Sequence, residues 1–477
     1  MNARASCLTL LLAAALLLPV TAAARRAPPP APAPTDTLHL TLDEALQRAL
    51  ARSQEMRTAR ALVKQTEGQV LEQLSRALPQ VSGMVTYNRK LESIFQGAVE
   101  DTGFFGQILK NSSFAAQHTW SADLTAQQLL WSGGKVGAAL KTAKAANRSA
   151  RASEQETASD LTYQVRQAYY DAVYARRLVE IAESALIQAR AHLGQVRAGR
   201  REGSRSEYET LRAEVDAANQ EPSVIAARNG LEIALLALKR LVNVPPAQPV
   251  VLMTTPLAAA DGTVPVVTDL STAVAGRPAV LAAGFEVEAR RRAVKVYRGQ
   301  RWPDLYLSST LSHQAFPLDL WPRRNEFRRN WDASVRLELP IFTGLRTEGQ
   351  VVQAQAQYEV ARAGYDRLLE GAAIEAVQAR DELGRTLSSL FARRETVRQA
   401  QRAWELAGVR YTNGMSTQIE VSDARLQLQA AEVNEVQAMR DYLVAIAALE
   451  RAVGHPLPVE HRPLEEVTLS PNLEGTR

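Results

Sequence analysis

Two periodicities divide the chain. One steps by four and three through Leu161, Val165, Ala168, Ala172, Ala175, Val179, Ala182, Leu186, Ala189, Leu193 and Val196. That heptad seam predicts a long helix paired in a left-handed coiled coil. A second seam runs through Ala372, Ala376, Ala379, Leu383, Leu390, Val397, Ala400, Trp404 and Ala407, interrupted by Thr386 and Arg393. The other periodicity is two. Trp120, Ala122, Leu124 and Ala126 share one face, against Ser121, Asp123, Thr125 and Gln127 on the other. Trp331, Ala333, Val335, Leu337, Leu339 and Ile341 likewise oppose Asp332, Ser334, Arg336 and Glu338, and Leu305, Leu307 and Leu311 repeat the pattern more weakly. Alternation of this kind predicts half-buried strands. Their length, with a tryptophan at one end, also suits strands of an outer-membrane barrel.

The punctuation is consistent with these elements. Thr41-Leu-Asp-Glu44 is a capping box opening a helix expected over Leu42–Ala77. Leu78-Pro79 and Trp302-Pro303 end helices, because the residue before a proline is pushed out of helical space. The helix from about Lys135 to Ala198 spans roughly 95 Å at about 1.5 Å per residue. A shorter one is expected over Ser204–Val242, and Pro222 inside it predicts a kink or break. Gly203 and Gly414 sit where the long helices end, with the next helices expected to start at Ser204 and Met415.

These elements occur twice. Trp120 to Gly133 matches Trp331 to Gly344 at an offset of 211 residues, which also pairs Gly203 with Gly414, Glu209 with Glu420, Arg240 with Arg451 and Pro245 with Pro456. Upstream, Pro79 pairs with Pro303 at an offset of 224, so the first half carries 13 extra residues between Val81 and Trp120. Each half reads helix, strand, loop, strand, long helix, sharp break, helix. The pattern is an internal tandem duplication of a mixed α and β unit.

Charge and composition narrow the function. The net charge is only +5 with both signs interspersed, so no basic stripe for nucleic acid is present. The one dense basic run, Arg323, Arg324, Arg328 and Arg329, reads as a solvated loop. Arg4, the apolar stretch Leu8–Val20 and the small residues Ala22-Ala23-Ala24 read as a secretory signal. The only cysteine, Cys7, falls within it, so the mature chain is expected to hold no thiol and no cysteine-ligated metal. No later stretch is long and apolar enough for a membrane helix. His39, His118, His192, His313, His455 and His461 show no ligand spacing, and no nucleophile motif or phosphate loop appears. No cofactor and no catalytic residue is therefore expected, and the enzyme reading falls behind a membrane channel or a structural coiled coil of the periplasm.

Leu42-Asp-Glu-Ala-Leu46, Leu130-Trp-Ser-Gly-Gly-Lys135 and Arg410-Tyr-Thr-Asn-Gly414 followed by Glu420 resemble the TolC-like outer-membrane efflux protein family, over nearly the whole chain from Leu40 to about Gly454. The resemblance implies four membrane strands per chain, a homotrimer closing a twelve-stranded barrel in outer-membrane lipid, and a long periplasmic α-helical coiled-coil barrel below it. It implies a passive exit duct working with a periplasmic adaptor and an inner-membrane transporter. The expected organisation is a signal peptide over 1–24, a Pro-rich linker over 25–38 and a first repeat over 39–245. An inter-repeat linker over 246–264, a second repeat over 265–456 and a tail over 457–477 follow. The linker and tail are expected to run around the middle of the helical tube.

The resemblance also implies roles for residues. The hairpin tips, with Gly203, Ser204, Gly414, Met415 and Ser416, would meet the adaptor. Glu420 and Asp423, three apart on one helix face, would form the pore entrance. Tyr411 and Glu209 stand where relatives carry a hydrogen bond that holds the entrance shut. Ser416 replaces an arginine of that latch, while Arg205 stands at the equivalent place in the first hairpin. Asp123, Asp332, Arg336 and Glu338 would face the lumen.

Overall fold

The computed structural model describes residues 37–92, 117–253, 263–265, 270–317, 320–457 and 459–461. The expected signal, Cys7, most of the Pro-rich linker and most of the tail lie outside the described residues. The chain runs β1 (Leu38–Leu40), α1 (Leu42–Arg52), α2 (Gln54–Ser75), β2 (Gln80–Arg89), β3 (His118–Trp131), α3 (Lys135–Arg201), α4 (Glu207–Leu241) and β4 (Val250–Leu252). It continues β5 (Thr263–Pro265), α5 (Leu270–Ala275), α6 (Pro278–Gly299), β6 (Asp304–Ala315), β7 (Arg328–Glu338), α7 (Arg346–Thr412), α8 (Gln418–Val453) and β8 (Val459–His461). Helices α3 and α7 have 67 residues each, about 100 Å at ~1.5 Å per residue.

The heptad seams are the packed faces. Leu161, Val165, Ala172, Ala182, Ala189 and Val196 are buried along α3, and Ala372, Ala376, Leu383 and Leu390 along α7. Thr386, expected to interrupt the second seam, is buried within it. Its hydroxyl donates to the backbone carbonyls of Glu382 and Leu383, which satisfies the polar group inside the helix. Arg393 is exposed and leaves the seam.

Three expectations are corrected. The first helix is not continuous: it breaks at buried Ser53, whose Oγ accepts from the Met56 N–H at 3.2 Å and so caps α2. Pro222 does not break α4, which runs through it. Pro222 and Ala218, the residue whose carbonyl loses its usual donor, are both exposed. Finally, α4 and α8 start at Glu207 and Gln418, with Ser206 and Thr417 as their caps, and Ser204 and Met415 belong to the turns.

A break like that at Ser53 separates α5 from α6 at Arg277. Its guanidinium is 7% exposed and bridges Glu156 of α3 at 2.8 Å and Glu375 of α7 at 2.6 Å. Midway along α3 the strands β1 and β4 pair in parallel and pack on Leu161, Val165, Tyr169 and Val173. β5 pairs antiparallel with β8, so both the linker and the tail contribute strands to small sheets.

The main sheet is antiparallel in the order β2-β3-β6-β7. Register sets its faces: Gly83, Leu124, Leu311 and Trp331 lie in one row, and Met84, Asp123, Ser312 and Asn330 in the next on the opposite face. Every residue of β2 and of β7 is exposed. A β-bulge between Leu129 and Trp131 brings Trp131 beside Trp302, edge to face at 6.3 Å. Gly133 follows with φ +57°, and a Cβ there would stand 2.3 Å from the Trp302 Cβ, so only glycine lets the strand turn into α3. Lys135 bonds Asp304 at 2.6 Å across the same junction.

The apolar face carries Leu124 and Val335, the polar face Asp123 and Ser334. With the apolar face toward lipid, Leu124→Arg or Val335→Arg is expected to cost ~2–4 kcal/mol near mid-bilayer. Asp123→Asn and Ser334→Ala, whose partners are Ser312 and Ser308, should be mild. Urea titration of folded protein in detergent micelles checks this; equal sensitivity of the two faces would overturn the assignment.

Candidate functional site

The helix ends farthest from the sheet form two turns built alike. Gly203 (φ +77°) and Gly414 (φ +75°) take the left-handed conformation. Ser204 N–H donates to the Gly199 carbonyl at 2.9 Å and Met415 N–H to the Arg410 carbonyl at 2.8 Å, with Gly203 and Gly414 N–H reaching Arg200 and Tyr411. Both turns are Schellman motifs that satisfy the last carbonyls of α3 and α7. An added Cβ at either glycine would touch nothing within 4 Å, so φ alone selects glycine there.

The next helices are capped differently. Ser206 and Glu209 form a full capping box: Glu209 N–H donates to Ser206 Oγ at 3.2 Å, and Ser206 N–H donates to Glu209 Oε2 at 2.9 Å. That backbone bond, with the Arg205 guanidinium 3.4 Å away, holds the Glu209 carboxyl below its ordinary range. Thr417 caps α8 through its hydroxyl. Glu420 and Asp423 are exposed one turn apart, with no ion pair among the described residues.

The expected Tyr411–Glu209 hydrogen bond is absent. Glu209 is occupied by its cap, and the buried Tyr411 hydroxyl has no partner among the described residues. Instead the Arg205 guanidinium lies 4.4 Å over the Tyr411 ring, joining the first hairpin to the end of α7 by a cation–π contact. Burial pushes the Tyr411 hydroxyl upward in pKa, with Arg205 opposing. Ser416 takes no part in this contact: its hydroxyl reaches only the Thr417 carbonyl.

Sequence reasoning missed the groups around this contact. His192 of α3 lies 6.1 Å from the Tyr411 ring and Ser422 of α8 reaches Asp216 of α4 at 3.4 Å. Burial, then the charge of Arg425, depresses the His192 pKa, with Asp216 opposing. Together with Trp404, His192 and Tyr411 line a cavity of about 560 Å³ between α3, α7 and α8. No spacing announces these residues, since they come from four helices. Among the described residues no group of metal-ligating side chains comes together.

Two long helical hairpins continue from a four-stranded sheet, and comparison with known proteins says what this architecture serves. The model of the family described as Outer membrane efflux protein matches residues 45–244 and 270–455. The chain belongs to the outer membrane efflux protein family. It is 26% identical over 420 residues to the outer membrane efflux protein BepC of Brucella suis, covering 87% of this chain and 85% of that protein. It is 25% identical over 418 residues to the pyoverdine export outer membrane protein OpmQ of Pseudomonas aeruginosa, with the same coverage of 87% and 85%. The solved structure of CusC, a transmembrane channel, superposes with a TM-score of 0.73 at 18% identity, covering 88% of this chain and 94% of that one. The protein is thus an outer-membrane efflux channel. It resides in the outer membrane and extends into the periplasm.

The contact at the tip makes a specific demand. Tyr411→Phe keeps the ring under Arg205 and removes a hydroxyl that bonds nothing, so it should leave the tip as it is. Arg205→Gln removes the cation, at ~0.5–2 kcal/mol per contact. Hydrogen exchange over residues 408–416 should therefore speed up about twofold to thirtyfold in Arg205→Gln and stay unchanged in Tyr411→Phe. The reverse order would restore the hydroxyl as the holding group.

Proposed function

We propose that three copies of this chain form one passive duct, a twelve-stranded barrel in the outer membrane continued by an α-helical tube through the periplasm. It is the exit stage of a tripartite efflux or type I secretion system. The observation that carries this reading is the sheet β2-β3-β6-β7, whose two outer strands are exposed along their whole length. In hydrocarbon each unpaired backbone group costs several kcal/mol. Pairing β7 of one copy with β2 of the next removes every edge, and three copies give an even number of strands within the known range of barrels. The polar row holding Asp123, Asp332, Arg336 and Glu338 then faces the lumen. The equal helix lengths and matching turns of the two halves support their origin by duplication.

In this duct the hairpin turns, Gly203-Ser204 and Gly414-Met415-Ser416, are the surface that meets a periplasmic adaptor, with the inner-membrane transporter choosing the cargo. Glu420 and Asp423 would repeat by threefold symmetry as six carboxylates around the entrance, a ring that attracts cations and repels anions. The latch is the stack of Arg205 on Tyr411, with Glu209 holding Arg205 at 3.4 Å from the far side.

Planar-bilayer recording tests the entrance. The double substitution Glu420→Gln with Asp423→Asn should lower cation preference without blocking conduction. Unchanged ion selectivity would make these carboxylates an ordinary solvated face.

A further inference from the structure

The basic run that reads as a solvated loop occupies a defined place in the fold. Arg328 and Arg329 open β7 and pair with Gln314 and His313, beside the Ala315 that pairs with Trp120. They therefore stand at the end of the sheet away from the helices, level with an aromatic cluster. Trp321 stacks on Trp120 at 5.4 Å, Tyr87 lies 4.8 Å from Trp120, and the Trp120 indole N–H donates to the Leu320 carbonyl at 2.9 Å. These contacts hold Leu320 and Trp321 of the β6–β7 connection beside Trp120 on the apolar side of the sheet. Trp321 remains 61% exposed and Trp331 68%, with the Arg329 guanidinium 5.9 Å over the Trp331 ring.

Arg323, Arg324, Arg328 and Arg329 are all exposed, and none has a carboxylate ion pair among the described residues. The one acid within the run, Glu326, accepts the Arg323 backbone N–H at 2.7 Å. The opposite end of the sheet differs. There Arg76 meets Glu72, Lys135 meets Asp304 and Arg301 meets Glu348. In the proposed barrel the exposed Arg89 at the end of β2 would join the run of the neighbouring copy, adding like charge at the seam. The distance between the ends also fits a bilayer. From Trp120 to Trp131 is eleven residue steps, ~36 Å along a strand and ~28 Å across a membrane at a tilt of about 40°.

We propose that this outer rim is a docking surface for the phosphorylated glycolipid of the outer leaflet. The guanidinium forks of Arg323, Arg324 and Arg329 hold its phosphates, and the exposed faces of Trp321 and Trp331 lie against its acyl chains; Arg329 shares the face of Trp331, whereas Arg328 alternates to the opposite face with Asp332 and Arg336. Arginine suits the task because its planar fork bonds phosphate oxygens in pairs. Tryptophan suits the boundary because its ring is apolar with one polar edge. Lipid phosphate supplies these guanidiniums with the counter-charge that no ion pair among the described residues gives them, and would also screen the repulsion across each subunit seam. The inference rests on the reading of the sheet as the membrane segment.

The test uses the full-length protein in neutral detergent, titrated with bisphosphorylated lipid A, with its dephosphorylated form and with phosphatidylglycerol, and read by native mass spectrometry. The wild type should bind bisphosphorylated lipid A at least about tenfold more tightly than either comparison lipid. The variant Arg323→Gln, Arg324→Gln, Arg329→Gln should lose that preference while keeping the wild-type oligomer and heat-modifiable migration. Arg76→Gln, at the other end, and Arg328→Gln, on the opposite face of β7, should keep it. Retained preference in the triple variant, or equal binding of phosphatidylglycerol, would overturn the proposal. Failure of the underlying reading looks different: the chain would not fractionate with outer membranes at all. Failure of the docking surface alone leaves insertion intact and lipid phosphate without effect.

Discussion

A strand in lipid has no water to satisfy its free edge, and this constraint organises the molecule. The sheet contains four strands, two of them exposed on every residue. Such a sheet is stable in a membrane only as part of a closed ring. The proposed threefold closure then determines what lies below it. Each strand pair feeds a 67-residue helix through a glycine junction, so helices inherit the symmetry of the barrel. Residues one chain presents singly, such as Glu420 and Asp423, become rings.

Polar contacts between helices change character along the tube. At mid-height they are charged and partly buried: Arg277 between Glu156 and Glu375, Arg440 with Asp171, and Arg451 with Asp160. Removing one partner of a buried pair leaves an uncompensated charge, which makes this region costly to rearrange. At the tip the hairpins are joined by the Arg205–Tyr411 cation–π contact and the 3.4 Å hydrogen bond from Ser422 to Asp216, with a cavity of about 560 Å³ beside them. In the proposed duct these lighter contacts sit at the entrance and the charged pairs at mid-height.

Much of this was readable in the sequence because it is local. Heptads, alternating strands, the Thr41–Glu44 capping box and the turn glycines are each set by residues within a few positions, and the structure contains them. The misses depend on tertiary surroundings. The break at Ser53 follows from a serine hydroxyl buried by packing, and Arg277 draws its partners from two other helices. Pro222 lies at an exposed position, and α4 runs on through it. At the tip, the residues were found but their bond was not. Glu209 satisfies its own cap first, and Tyr411 is left with Arg205, a choice that spacing alone does not reveal. The basic run was visible as charge, yet its level beside Trp120 needed the strand register.

The central claim is that β2 and β7 are paired across subunits in the working molecule. Hydrogen exchange on the detergent-purified protein, resolved to single amides and combined with its native mass, tests it directly. The account predicts the mass of three chains, with the outward amides of β2 and β7 protected as strongly as those between β3 and β6. A monodisperse monomer with full β content, whose outward β2 and β7 amides exchange freely, would contradict it.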